Sequence, residues 1–157
     1  MNGNEQQSLA RGGAWVLAQF LLMIALLAAG PVWRGQWEGM WSFVMGLVLL
    51  ALGAWAGLLG KRDLGSQRTP FPRPKVDSQL VTTGIYAHVR HPLYLAVILL
   101  GSAWALLWCS WPAAALAVVQ VVFFDAKARL EERWLREQFS EYAGYASRVK
   151  RFIPSVY

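Results

Sequence analysis

Three stretches without a charged side chain decide what this chain can fold into: 22 residues between Arg11 and Arg34, 22 between Glu38 and Lys61, and 33 from Pro92 to Phe124. At about 1.5 Å of helical rise per residue, roughly 20 apolar residues cross the hydrocarbon core of a bilayer. The first two runs each match one crossing. The third is too long for one ordinary span and carries Cys109-Ser110-Trp111-Pro112 near its middle, which predicts a tight helical hairpin. The expected fold is an all-α integral membrane protein with four transmembrane helices near 13–33, 39–60, 92–108 and 112–124. The last of these continues into a cytoplasmic amphipathic helix and tail over 125–157, and the whole chain forms a single membrane domain. Nine tryptophans, many near the predicted span ends, suit interfacial belts. Ala28-Ala29-Gly30 is a weak cleavage site after an apolar run longer than a signal core, so the first segment is expected to stay as an anchor.

Orientation follows from basic residues in short loops. The 61–91 loop carries Lys61, Arg62, Arg68, Arg73, Lys75 and Arg90, and seven more basic residues follow Asp125. The 34–38 loop has only Arg34 and the 109–111 turn has none. Both termini and the long loop are therefore expected on the cytoplasmic side of a bacterial-type inner membrane. The formal charge of +6 reads as a topology and anionic-lipid signal rather than a nucleic-acid footprint. Cys109 is the lone cysteine and there are two histidines, so neither an intrachain disulfide nor a zinc-type ligand cluster is expected.

The chemistry concentrates where the polar loop becomes the third span, at Arg90-His91-Pro92-Leu93-Tyr94. Proline suits the first position of a helix, because its missing N–H would be unpaired there anyway. Arg90 and His91 then stand at a helix N-terminus, where free amides and the dipole favour an anion such as a carboxylate or phosphate. With the hairpin turning near Ser110, His91 lies level with about Arg129, and Glu131-Glu132 falls within about one turn of it. On the fourth helix, Phe124, Ala128, Leu135, Phe139 and Tyr142 form an apolar stripe. Glu131 lies inside it, and Glu132 lies on the flank, placed to pair with Arg136 as Asp125 pairs with Arg129. Taken singly, these residues read as a headgroup contact (Arg90), an interfacial anchor (Tyr94), a helix-end hydrogen-bonder (His91) and a solvated charged face (Glu131 and Glu132). Their convergence on one level of one hairpin points instead to a site.

Leu80-Val81-Thr82-Thr83-Gly84-Ile85-Tyr86, Val89-Arg90-His91-Pro92-Leu93-Tyr94, and after the hairpin Glu131-Glu132-Arg133-Trp134-Leu135, Phe139, Tyr142, Tyr145 and Ile153-Pro154 together resemble the isoprenylcysteine carboxyl methyltransferase family. Those integral-membrane enzymes have phospholipid N-methyltransferase relatives. The likeness covers about residues 80–154 and departs at Ile85, where the family usually has proline, and at Ala96 and Ser140, where glycine is common. It implies S-adenosylmethionine bound at the cytoplasmic end of the hairpin and a lipophilic methyl acceptor entering from the bilayer. The implied cofactor contacts are Tyr86, Val89, Arg90, His91, Pro92, Tyr94, Glu131, Glu132 and Leu135, with His91, Glu131 and Glu132 as the catalytic candidates. Arg90, His91 and the third span's N-terminus would take the cofactor's carboxylate, and a glutamate its ribose or amino group. Two other readings fit the Arg-His-Pro-x-Tyr segment: an NADPH-dependent membrane reductase of the sterol-reductase type, and a non-catalytic membrane scaffold. The reductases usually have a glycine and an acidic residue soon after the tyrosine, where this chain has Ala96 and Val97.

Overall fold

A computed structural model describes residues 12–74, 77–154 and 156–157. Arg11 and Lys75, both used in the charge reading, lie outside the described residues, as does the N-terminus. The helices are α1 (Gly13–Val32), α2 (Met40–Leu64), α3 (Pro92–Trp108), α4 (Trp111–Gln138) and α5 (Tyr142–Arg148), with short 3-10 turns at Gly65–Gln67 and Gly84–Ala87. Among the described residues no strand forms, and a single isolated bridge pairs Val89 with Lys150.

α1 and α2 are each long and apolar enough to cross a membrane, and less than a quarter of the most apolar window of either is buried. A core helix of a soluble protein would be mostly buried. Here Leu21, Ile24, Leu52 and Leu58 face outward, and Trp41 is 85% exposed. α2 runs four residues past the expected end at Gly60, bringing Lys61 and Arg62 into its last turn, where they suit the negative end of the helix dipole.

The hairpin forms where the sequence interrupts itself. Cys109 adopts a left-handed conformation (φ 50°) and ends α3. Ser110 then caps α4 by accepting from the Ala113 amide at 3.3 Å. Its hydroxyl also donates to the Ala29 carbonyl of α1 at 3.0 Å, pinning the turn to a neighbouring helix. α4 runs unbroken from that turn to Gln138, so its apolar first half and polar second half are one rod.

α2 lies along α3, and α1 packs on α3 and α4. The α2 face toward α3 is built from Gly46, Gly53, Gly57 and Gly60, which allow the backbones to approach closely. A Cβ at Gly53 would sit 3.0 Å from the Leu100 side chain and 3.2 Å from the Ala96 carbonyl, and that carbonyl cannot move aside. Gly53→Leu is therefore expected to destabilise the protein by about 1–3 kcal/mol through overpacking. Gly144, whose added Cβ would meet nothing within 4 Å, is the control. Gly144→Ala should be neutral or stabilising by up to about 1 kcal/mol, as read from thermal denaturation in detergent.

The long loop is irregular, but it is anchored. Asp63 at the end of α2 accepts from the Ile85 amide at 2.8 Å. Gly84 makes that approach possible: its φ is +63°, and any Cβ there would collide with the Asp63 carboxylate. Tyr145 of α5 donates to the Tyr86 carbonyl at 2.6 Å. Past α5 the tail runs beside residues 89–91, where the Arg90 amide donates to Lys150 O at 2.9 Å and the His91 amide to Arg151 O at 3.2 Å.

Candidate active site

The hairpin brings the start of α3 against the middle of α4, and the returning tail closes over both. Glu132 is at the centre. Its Oε1 accepts from Arg90 Nε at 3.1 Å, Arg90 Nη2 at 2.9 Å and Arg151 Nε at 2.9 Å. Its Oε2 accepts from Arg151 Nη2 at 3.0 Å. His91 Nε2 lies 3.2 Å from Oε1, and because an ionised carboxylate only accepts, Nε2 carries the proton of that contact. Burial acts to raise the Glu132 carboxyl, but hydrogen bonds from His91 and Arg151 and the charge of Arg90 outweigh it and hold the group well below its ordinary range. Arg151 also reaches Asp125 at 2.8 Å, and the Tyr157 hydroxyl donates to the same oxygen at 2.8 Å.

This cage has a pH signature. The folded pKa of Glu132 is depressed from an ordinary 4.5, so its stabilisation is complete above that value and is lost as pH falls below it. Asp125 acts in the same direction: burial works to raise its carboxyl, but hydrogen bonds from Arg129, Tyr157 and Arg151 lower it. The thermal midpoint should therefore fall progressively as the pH drops below about 5 and keep falling below about pH 3 in the wild type. It should fall less in Glu132→Gln, and equal slopes in the two proteins would remove Glu132 as the cause.

Beside the cage is a cavity between the long loop, the N-terminal turn of α3, α4 and α5. Tyr86, Arg90, His91, Tyr94, Glu131, Leu135, Phe139, Tyr142 and Tyr145 line one side, and loop residues including Gln67, Gln79, Leu80 and Val81 close the other. Arg90 borders this space with four of its five N–H donors engaged. Besides Glu132 it holds the carbonyls of Ala146 at 2.8 Å and Val149 at 2.5 Å. Glu131 is the one carboxylate among the lining residues, and Tyr94 donates to it at 2.6 Å. The His91 and Tyr94 rings stack nearly parallel with centroids 5.3 Å apart, and His91 Nδ1 stands 3.9 Å from Glu131. Below them Lys127, only 1% exposed, donates to Gln19 of α1 and to the Pro70 carbonyl at 3.0 Å. Burial pushes its ammonium down to about 8, against the pull of Glu131.

The profile of the phospholipid methyltransferase family matches residues 41–142, which take in α2, α3, α4 and most of the site. The chain belongs to that family. Its relatives include protein-S-isoprenylcysteine O-methyltransferase B of Arabidopsis thaliana, 27% identical over 150 residues, 90% of this chain and 74% of the relative. The protein-S-isoprenylcysteine O-methyltransferase of Saccharomyces cerevisiae is 31% identical over 118 residues, covering 72% and 49%. The cobalt-zinc-cadmium resistance protein CzcN of Cupriavidus metallidurans is 28% identical over 148 residues, 92% of this chain and 63% of the relative. The chain thus spans less than two thirds of the length of CzcN. Among the described residues no three His, Cys, Asp or Glu side chains group to hold a metal ion.

In this phospholipid methyltransferase family member, Tyr86, Arg90, His91, Tyr94, Glu131 and Leu135 border the cavity. Three sequence candidates do not. Val89 is buried in a small core with Ile85, Tyr86, Ala56 and Ala96. Pro92 packs near Gly60, and Glu132 lies under the two arginines. The helical pattern put Glu131 on the face of Leu135, Phe139 and Tyr142, and all four line the cavity, but it left Glu132 on a flank beside Arg136. Glu132 is the buried one, its side chain 7% exposed against 25% for Glu131. The reason is the tail, which delivers Arg151 to that flank and covers it. Glu132 consequently pairs with Arg90 and Arg151 rather than with Arg136, whose guanidinium lies over the Tyr142 ring at 5.7 Å. The Asp125–Arg129 pair does form, at 2.7 Å. Sequence reasoning missed Arg151 and Lys127; the one available signal for Lys127 was a cation only three residues beyond an uncharged run.

Proposed function

We propose that this chain is an integral-membrane methyltransferase that uses S-adenosylmethionine and transfers its methyl group to a lipid or lipid-like acceptor, of the isoprenylcysteine carboxylate or phospholipid amine class. The observation that carries this reading is the cavity shared by the two halves of the hairpin. It combines aromatic walls with one carboxylate, Glu131, that no arginine neutralises, while the Arg90 charge beside it is matched by Glu132. That donor set suits a ligand that is cationic at one end and aromatic at the other. When bound, S-adenosylmethionine supplies a methyl group made electrophilic by a sulfonium.

The residues divide the work. Glu131, held by the Tyr94 hydroxyl, attracts the positive end of the ligand. The α3 N-terminus, which no side chain caps, offers donors to a carboxylate. Arg90 cannot take that part as freely as its position in the sequence suggested, since Glu132 and two carbonyls hold it. It sets the positions of His91 and Glu132 instead. Leu80, Val81, Leu135 and Phe139 exclude water, so that alignment of the reacting atoms does most of the catalytic work. An acceptor that must lose a proton would find Glu131 and His91 nearest; Glu132 is enclosed by its donors.

In this reading α1, α2, α3 and the apolar half of α4 cross the bilayer, with the 61–91 loop, the site and the tail on the cytoplasmic side of a bacterial-type inner membrane. The acceptor enters from the lipid phase. The test is to incubate membranes containing the protein with methyl-labelled S-adenosylmethionine and separate lipid, protein and small-molecule fractions. Label should appear in one fraction with the wild type and vanish with His91→Ala; no transfer above empty membranes would defeat the proposal.

A further inference from the structure

Five tyrosines occur in the chain, and four have their hydroxyls engaged within the protein. Tyr94 bonds Glu131, Tyr145 bonds the Tyr86 carbonyl, Tyr157 bonds Asp125, and Tyr86 approaches the Gly60 carbonyl at 3.5 Å. The exception is Tyr142. Its side chain is 1% exposed, yet its hydroxyl has no hydrogen-bond partner among the described residues. A buried hydroxyl left unpaired costs about 1–3 kcal/mol, and a phenylalanine would fill the same space without that cost.

The surroundings show where a partner would come from. Tyr142 lines the cavity beside Phe139, Tyr145 and Leu135. Its ring is held edge-to-face against Tyr145 at 5.9 Å and lies under the Arg136 guanidinium, so the hydroxyl is not free to swing elsewhere. Burial, reinforced by Glu132, raises its pKa and keeps the phenol protonated at working pH, with one O–H to donate. This part of the lining is apolar and aromatic, in contrast to the Glu131, His91 and Tyr94 cluster. A flat heteroaromatic ring fits such a wall, and its ring nitrogens are hydrogen-bond acceptors.

We infer that the Tyr142 hydroxyl is a direct contact for the ligand, donating to an acceptor atom of the nucleoside part of the cofactor. The inference rests on the methyl-donor reading above and adds to it a residue that stands outside the Arg-His-Pro-x-Tyr and Glu-Glu segments. Tyr142 recognises the ligand and takes no part in proton transfer.

The test measures S-adenosylhomocysteine binding by titration calorimetry, together with ligand-free thermal midpoints, for the full chain in lipid nanodiscs. Tyr142→Phe should weaken binding roughly three- to ten-fold, the loss of one neutral hydrogen bond, and leave the ligand-free midpoint unchanged or raised. Tyr145→Phe, which breaks a bond inside the protein, should lower the midpoint. Wild-type affinity in Tyr142→Phe, or a midpoint lowered as in Tyr145→Phe, overturns the contact and leaves the methyl-donor reading standing. No binding to the wild type overturns both.

Discussion

Replacing Glu132 with alanine is expected to be the most damaging single change in the protein, lowering its stability by about 3–5 kcal/mol. The carboxylate accepts from Arg90, Arg151 and His91 in a site with little access to water. Without it, the Arg90 guanidinium, 10% exposed, loses its carboxylate partner, and Arg151 is left with Asp125 at 2.8 Å as its remaining ion pair. The loss is a property of the broken cage rather than the net worth of the intact one, since burying charges is itself costly. For a chain of this size it corresponds to a fall of roughly 10 °C in the thermal midpoint, measured in detergent with and without ligand. A midpoint within about 2 °C of the wild type would mean that the arginines find other partners and that the cage is not the anchor of the tail. Arg151→Ala should resemble Glu132→Ala in direction, because it removes the tail's grip on the same carboxylate.

The neighbouring glutamate is expected to behave in the opposite way. Glu131→Gln should change the midpoint little, since the side chain is a quarter exposed and loses only the charge of its bond with Tyr94. S-adenosylmethionine binding should weaken by about 10- to 100-fold, the range for losing a charge-assisted hydrogen bond in a partly desolvated site. Tyr94→Phe should give a smaller loss in the same direction, because the carboxylate remains but is no longer oriented. Titration calorimetry with each variant decides the matter. If Glu131→Gln binds like the wild type while Glu132→Gln folds and does not bind, the division of roles between the two glutamates is reversed.

What could be read from the sequence followed from counting along rods. Span lengths come from hydrocarbon thickness, and the hairpin tip comes from Cys109-Ser110-Trp111-Pro112. Together they put His91 level with Glu131-Glu132, and the structure brings His91 to 3.2 Å from Glu132. Helix counting does not reach past the end of α4. The tail's return is set by a single bridge at Val89 and Lys150 and by Arg151, features with no period to detect. That is why Glu132 was assigned to an open flank and Arg90 to a ligand. The α2 glycines were visible as letters, but their meaning needed the partner face on α3, and distant pairing leaves no mark in local hydropathy.

The tail's position beside residues 89–91 also bears on the order in which the molecule becomes competent. The α3–α4 hairpin is local in the chain and can form as a unit while translation continues. Two of the three groups that immobilise the Arg90 side chain, the Ala146 and Val149 carbonyls, lie 56 and 59 residues later, beyond the hairpin. A nascent chain can therefore hold both helices of the hairpin and still lack the closed cage, so that an immobilised Arg90 reports on the arrival of the tail rather than on formation of the hairpin.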